Sequence, residues 1–228
     1  MSSDVVFRDF IRTRYALDLQ VYMTNEQLQT ANIERNNRAL FEACRDGAKE
    51  ICEVLISFGS NVNSAVVHKQ TLLFIACENA HPECVDLLLA HEVDVNVGDL
   101  DDSQTPLMAT AHERNTPIGF DQFIDKRCQC MRLLMAAGAA IDQTDKDLWT
   151  ALMHATWNFR LTEILAEAGA NVNILNINWV SGIHIACGRN HSDVVDLLLR
   201  LGANITHVTF LIQPLFGCFS TIMLILTS

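Results

Sequence analysis

The chain has 228 residues, 50% of them hydrophobic, and a formal net charge of −11 from 27 acidic against 16 basic side chains. No run or stripe of Lys and Arg interrupts that acidity, which argues against a nucleic-acid partner, because phosphate binding needs local positive charge.

The N-terminal segment reads as helical. Phe7, Ile11, Tyr15, Leu19 and Tyr22 form a stripe at helical spacing, and Thr24-Asn25-Glu26-Gln27 matches a capping box for a short helix over Leu28 to Ile33. Residues 1–33 are expected to form a helical cap, with a partner-binding helix as the alternative. Met1-Ser2-Ser3-Asp4 does not begin a leader of signal-peptide form, so the expected compartment is reducing and intracellular, the cytoplasm or the nucleus.

From residue 34 to 206 a unit of about 33 residues recurs five times, over 34–63, 64–96, 97–142, 143–173 and 174–206. The register is clearest where Thr71-Leu72-Leu73-Phe74-Ile75-Ala76-Cys77 is followed, sixteen residues after Thr71, by Leu87-Leu88-Leu89, and where Ser181 stands in the same relation to Leu197-Leu198-Leu199. The threonine-like position falls at Arg38, Thr71, Thr105, Thr150 and Ser181, each followed by a short apolar run with small residues. A second apolar run reads as the core face of a second helix. Four units close on one turn, Gly59-Ser60-Asn61-Val62-Asn63, Gly138-Ala139-Ala140-Ile141-Asp142, Gly169-Ala170-Asn171-Val172-Asn173 and Gly202-Ala203-Asn204-Ile205-Thr206. The second unit has Glu92 instead of the glycine, and the fourth is two residues short between its helices. A period of this length means stacked helical units, none of which buries its apolar face alone. The predicted fold class is therefore an all-α solenoid of helix-turn-helix units joined by short hairpin loops.

The third unit carries an insertion of twelve residues around Asn115 to Arg127. Phe120, Phe123, Ile124, Arg127 and Met131 recur there at helical spacing, which predicts an extended second helix beginning near Asp121. It is either a tolerated surface insertion or a partner-binding knob anchored by Phe120 and Phe123. At the other end, His207 to Ser228 contains no charged side chain. Residues 207–228 read as a truncated sixth unit, as a membrane tether through 210–227, or as the end of an alternative product whose continuation is missing.

The eight cysteines do not fit a disulfide framework or a metal site. Cys44, Cys77 and Cys187 share one small core slot, and Cys128-Gln129-Cys130 lacks a second ligand pair at zinc spacing. No metal and no cofactor is expected. Nucleophile elbows, phosphate-binding loops, dinucleotide turns and zinc-protease motifs are all missing from the sequence, so no catalytic residue is assigned and the chain is read as a non-enzyme.

The Thr-led apolar run, the Leu-Leu-Leu run and the Gly-Ala-x-Val-Asn close resemble ankyrin repeats, over roughly Glu34 to Thr206. The resemblance implies that the Thr caps the first helix, that Pro106 opens one, and that His184 occupies the family's histidine slot. It also implies a protein-binding adaptor or scaffold without chemistry of its own. The glycine usual two residues before the Thr is missing, with Asn36, Lys69, Ser103, Leu148 and Trp179 in its place, so the hairpin turns are expected to be less regular and locally weaker. Ligands of similar proteins lie on a concave face. Its positions, carried over, include Glu78 in the second unit, Asp101, Asp102 and Glu113 in the third, Asp147, Trp149 and Trp157 in the fourth, and Arg189 in the fifth. Trp149 and Trp157 with the acidic residues beside them point to a groove for a basic or amphipathic protein segment, unless both indoles only fill the two-residue deletion. The rival readings are a substrate-recognition subunit of an E3 ubiquitin ligase, whose recruitment box is not seen here, and a membrane-tethered adaptor.

Overall fold

The computed structural model describes residues 33–63, 70–99, 101–113 and 120–205. The expected N-terminal cap, apart from Ile33, and the uncharged tail lie outside them. Ten helices are found among the described residues, and they alternate in pairs: α1 (Ile33–Asp46) and α2 (Lys49–Ser57), α3 (Leu72–Glu78) and α4 (Pro82–Leu89), α5 (Pro106–Ala111) and α6 (Phe120–Ala136), α7 (Ala151–Ala155) and α8 (Phe159–Glu167), α9 (Gly182–Gly188) and α10 (Ser192–Arg200). The described residues contain no strand beyond an isolated bridge between Thr144 and Thr150, so the fold class is all-α.

Contacts divide the chain into two compact units, Met1–Thr110 with Asp125–Ala139, and Ala111–Ile124 with Ala140–Ser228. In the first, α1 packs on α2 and α3, and α4 packs on α2 and α3. In the second, α7 packs on α8 and α9, and α10 packs on α8 and α9. Helices α3, α5, α7 and α9 are only five to seven residues long, too short to persist in water by themselves. Burial stabilises them instead: every residue of α3 is buried. The small slots Ala43-Cys44, Ala76-Cys77 and Ala186-Cys187 are all buried, which is why a thiol can replace a methyl there. The longer partners bury one face, Ile51, Cys52 and Leu55 in α2, Cys84, Val85 and Leu88 in α4, Val194, Val195 and Leu198 in α10. A leucine such as Leu88, fully buried, contributes about 1.5–3 kcal/mol.

Four of the five threonine-like positions close a helix N-terminus, whereas Arg38 lies inside α1. Thr71 Oγ1 accepts from the Phe74 N–H at 3.1 Å, Thr105 Oγ1 from Met108 at 3.3 Å and Thr150 Oγ1 from Met153 at 3.3 Å. At Ser181 the cap is closed from the other side, with the backbone N–H donating to His184 Nδ1 at 3.1 Å. That bond requires the proton on Nε2, so His184 is a capping residue in a fixed tautomer. Between α1 and α2, Gly47 turns the chain at φ 71°, and His81 Nε2–H lies across it to donate to the Arg45 carbonyl at 2.9 Å.

The closing glycines Gly59, Gly138, Gly169 and Gly202 have φ between 82° and 89°, and Glu92 takes the same left-handed region at 55°. Beyond them a side-chain ladder sets the register. The Asn61 N–H donates to Asn37 Oδ1 at 2.8 Å, Asn171 N–H to Asp142 Oδ1 at 2.9 Å, and Asn204 N–H to Asn173 Oδ1 at 2.7 Å.

The structure changes the expectation for the hairpin turns. Three of them, those of Ser103, Leu148 and Trp179, are alike, with φ of 59°, 59° and 61°; Asn36 lies inside α1 and Lys69 outside the described residues. The compensation comes from an Asp or Asn earlier in each turn. Asp99 Oδ1 accepts from the N–H groups of Asp102 and Gln104, Asp145 Oδ1 from Asp147 and Trp149, and Asn176 Oδ1 from Asn178 and Val180, all at 2.8–3.0 Å. The short turn of the fourth repeat is likewise well formed. Helix α7 ends at Ala155, and Asn158, extended at φ −137°, caps α8 by accepting from Leu161 N–H at 3.2 Å.

The long helix of the insertion, α6, starts at Phe120. Its Arg127 is fully buried and donates from Nη1 to the Thr110 carbonyl at 2.6 Å, placing a cation at the C-terminal end of α5.

Candidate functional site

The side chains assigned from sequence fall in both units. In the first, Asp101 is exposed and Asp102 half-buried on a hairpin turn, whereas Glu78, in the last turn of α3, is only 7% exposed. Burial leaves Glu78 little surface to offer a partner. Phe123 is half-buried in the first turn of α6, next to buried Ile124; the Phe120 side chain lies outside the described residues.

The second unit holds the densest grouping. The tight turn that ends in Thr150 brings the half-buried Trp149 indole to the ring of His154, with centroids 5.1 Å apart at 31°. His154 in turn faces His112, again at 5.1 Å and at 37°. Three rings from two repeats thus follow one another, Trp149 on His154 and His154 on His112. Trp157 stands beside them, half-buried, its indole Nε1–H donating to the Ala111 carbonyl at 2.7 Å. That bond fixes its ring plane at the residue preceding His112. His112 Nδ1–H itself donates to the Glu113 carbonyl at 2.7 Å.

Charge around the strip is largely internal. The Glu113 carboxylate is held by Arg189 at 2.8 Å, so these two expected contacts neutralise each other. Asp145 lies under the strip, 7% exposed, with Oδ2 3.6 Å from His154 Nε2. Burial pushes its carboxyl up, but the His154 imidazole and the N–H groups of Trp149 and Asp147 outweigh burial and hold it below the usual carboxylate range. Asp147, one turn position on, is exposed and makes no ion pair among the described residues. A half-open aromatic surface with a carboxylate at its edge can bind apolar and cationic side chains, and it presents no nucleophile beside a base.

A family model described as ankyrin repeats in three copies matches residues 16–99, 40–123 and 122–209. The chain belongs to the ankyrin-repeat family. Among curated relatives, it is 29% identical over 68% of its length to the B-cell lymphoma 3 protein homolog of Mus musculus. It is 31% identical over 60% of its length to ankyrin repeat and SOCS box protein 6 of Homo sapiens, and 27% identical over 76% to a protein of Oryza sativa subsp. japonica named "Probable E3 ubiquitin-protein ligase XBOS33". The matched stretch spans 33%, 32% and 33% of those three proteins.

Ankyrin repeats are protein-interaction units and typically non-catalytic. Among the described residues no three His, Cys, Asp or Glu side chains are arranged to hold a metal ion. All seven described cysteines are reduced and buried. Cys44 and Cys52 touch at 3.7 Å, a bond that raises the Cys52 thiol, while burial raises Cys77 and pushes Cys130 up to about 12. Thiols so protonated are poor nucleophiles and poor ligands. A cavity of about 260 Å³ lined by Val62, Leu73, Glu92 and Val97 is smaller than typical small-molecule sites. No described helix is long and apolar enough to cross a membrane, and 210–227 lie outside the described residues.

Sequence reasoning had found Trp149 and Trp157, and the carried-over concave face also contains His112, but it missed His154 and Asp145. Forty-two positions separate the two histidines in the chain, so their pairing depends on the stacking of repeats. The signal that was available is the Asp five residues before Thr150, matched by Asn176 five before Ser181.

Proposed function

We propose that this ankyrin-repeat chain is a non-catalytic adaptor that binds a basic or amphipathic protein segment on the strip formed by His112, His154 and Trp149, with Trp157 as its fixed wall and Asp147 at its edge. The observation that carries this reading is the set of three rings from two repeats at 5.1 Å spacing, with His112 and Trp149 half-buried and the His154 side chain 10% exposed between them. Tryptophans in such settings are the usual anchors of interfaces, and a helix or extended segment can lay apolar side chains along them. The hydrogen bond from Trp157 to Ala111 divides the labour between the two indoles: Trp157 holds the wall and Trp149 makes the contact.

The test is affinity capture from lysate with the whole chain beside a Trp149→Ala form whose circular dichroism and melting match the parent. An anchor of this kind is worth about 2 kcal/mol or more, roughly thirty-fold in affinity. Partners retained equally by the folded variant would refute the strip.

A second reading, substrate recognition for an E3 ubiquitin ligase, is favoured by two relatives, the human SOCS box protein and the rice protein named a probable E3 ubiquitin-protein ligase. It predicts that captured partners gain ubiquitin when the chain is overproduced in cells. Unchanged ubiquitylation would remove it.

A further inference from the structure

We infer that Cys44 and Cys52 form a redox-modification site, a dithiol that a small disulfide of the glutathione class converts into a covalent bond between α1 and α2. The site lies in the first compact unit and shares no residue with the aromatic strip.

The two sulfur atoms touch at 3.7 Å inside the first helix pair, and both side chains are fully buried. Closing that gap to a bond of about 2.05 Å needs a shift of less than about 2 Å, shared by two side chains. The cysteines stand on either side of the Gly47 turn and eight residues apart, so the bond closes a loop that the fold has already formed.

Packing alone does not ask for this pair. The same two slots hold Cys77 and Val85 in the second repeat, Thr156 and Thr162 in the fourth, and Cys187 and Val195 in the fifth, all buried. Valine thus fills the place of Cys52 twice, and of these four repeats the first alone sets thiol against thiol.

The exchange balances with the small disulfide as oxidant. One cysteine, as thiolate, attacks a sulfur of the small disulfide, forms a mixed disulfide and expels a thiolate that takes up the proton. The other cysteine then attacks the protein-bound sulfur and expels the second small thiol. Two protein S–H groups become one S–S bond, and the two electrons and two protons they lose appear in the two released thiols. The second step joins groups already in contact, so the mixed disulfide does not accumulate.

The closed protein holds the reaction back. The hydrogen bond with Cys44 pushes the Cys52 thiol up, and the one with Cys52, followed by burial, does the same to Cys84 of α4. Protonated and buried thiols do not start the exchange, so the bond forms when the first repeat opens, and it records both the oxidant and the opening.

The test equilibrates the whole chain with mixtures of reduced and oxidised glutathione, starting once from the reduced chain and once from chain oxidised in urea and refolded. Acid-quenched samples are weighed, then alkylated and mapped with trypsin, which cuts after Arg45 and Lys49 and so parts the two cysteines unless they are bonded. The bonded chain should be lighter by about 2 Da, with the Cys44 and Cys52 peptides linked and its circular dichroism unchanged. Half-oxidation should need about ten-fold less oxidised glutathione than stable glutathionylation of any other cysteine. Cys52→Val, which copies Val85 and Val195, and Cys44→Ala, which copies Ala111, should fold and lose the bond, while Cys84→Val should keep it. The inference is overturned if either starting point ends as the dithiol in the most oxidising mixture, if Cys52 pairs with Cys84, or if glutathione stays attached. Loss of the helical signal on oxidation, or a bond that persists in Cys52→Val, overturns it as well.

Discussion

Replacing Asp145 by Ala strips a nearly buried turn of its organising acceptor. Two N–H groups, those of Asp147 and Trp149, lose bonds of 2.9 and 2.8 Å, and His154 loses the carboxylate 3.6 Å away. Hydrogen bonds to a charged acceptor contribute about 1.5–3 kcal/mol and neutral ones about 1, so Asp145→Ala should cost about 2–4 kcal/mol. For a chain of this size that is roughly 4–16 °C in melting temperature. Asp145→Asn separates geometry from charge. The fifth repeat already uses Asn176 in this role, its Oδ1 accepting at 2.9 and 3.0 Å. An amide at 145 should keep both turn bonds and lose only the carboxylate's contribution, about 1 kcal/mol. The folded carboxyl titrates below its unfolded value of about 3.9. Its stabilisation is therefore present above that value and lost as pH falls through the folded one. The gap between parent and Asp145→Asn should thus shrink below about pH 4. Thermal melts across pH, with amide exchange at Asp147 and Trp149 as the local readout, would decide it. Asn as damaging as Ala, or Ala within about 0.5 kcal/mol of the parent, would refute the argument.

Gly47→Ala should lower stability by about 2–3 kcal/mol in urea melts, because a Cβ there meets the His81 ring at 2.3 Å, breaks its bond to Arg45 and strains φ 71°. Thr71→Ala removes one N-cap and should cost about 1 kcal/mol by the same measurement. Leu88→Ala, fully buried in α4, should cost about 2–5 kcal/mol. Glu92→Gly should raise the melting temperature by about 1–4 °C, since the left-handed penalty at φ 55° exceeds the extra chain entropy of glycine.

Much of the helical framework was legible because it rests on local rules. Threonine before an apolar run caps a helix, glycine after one ends it, and small residues mark close approach, so the alternation of short and long helices and the buried cysteine slot follow from spacing. The hairpin turns were misjudged because attention went to the missing glycine. The residue that compensates, Asp99, Asp145 or Asn176, sits several positions upstream and works through hydrogen bonds to N–H groups that a sequence does not display. Arg127 shows a different gap: helical spacing put it on the inner stripe, but nothing local reveals that its guanidinium ends on the Thr110 carbonyl. The aromatic strip was half visible. Both tryptophans were in hand, while the histidines became neighbours only through stacking of one repeat on the next.

The buried thiols give the protein a built-in clock. Alkylating reagents attack the exposed thiolate, and all seven described cysteines are buried, so modification in native buffer has to wait for the structure to open around each sulfur. Cys44 and Cys77 belong to one compact unit and Cys187 to the other. Mass spectrometry of a chain sampled during labelling would therefore time the breathing of the two units separately, with no substitution introduced.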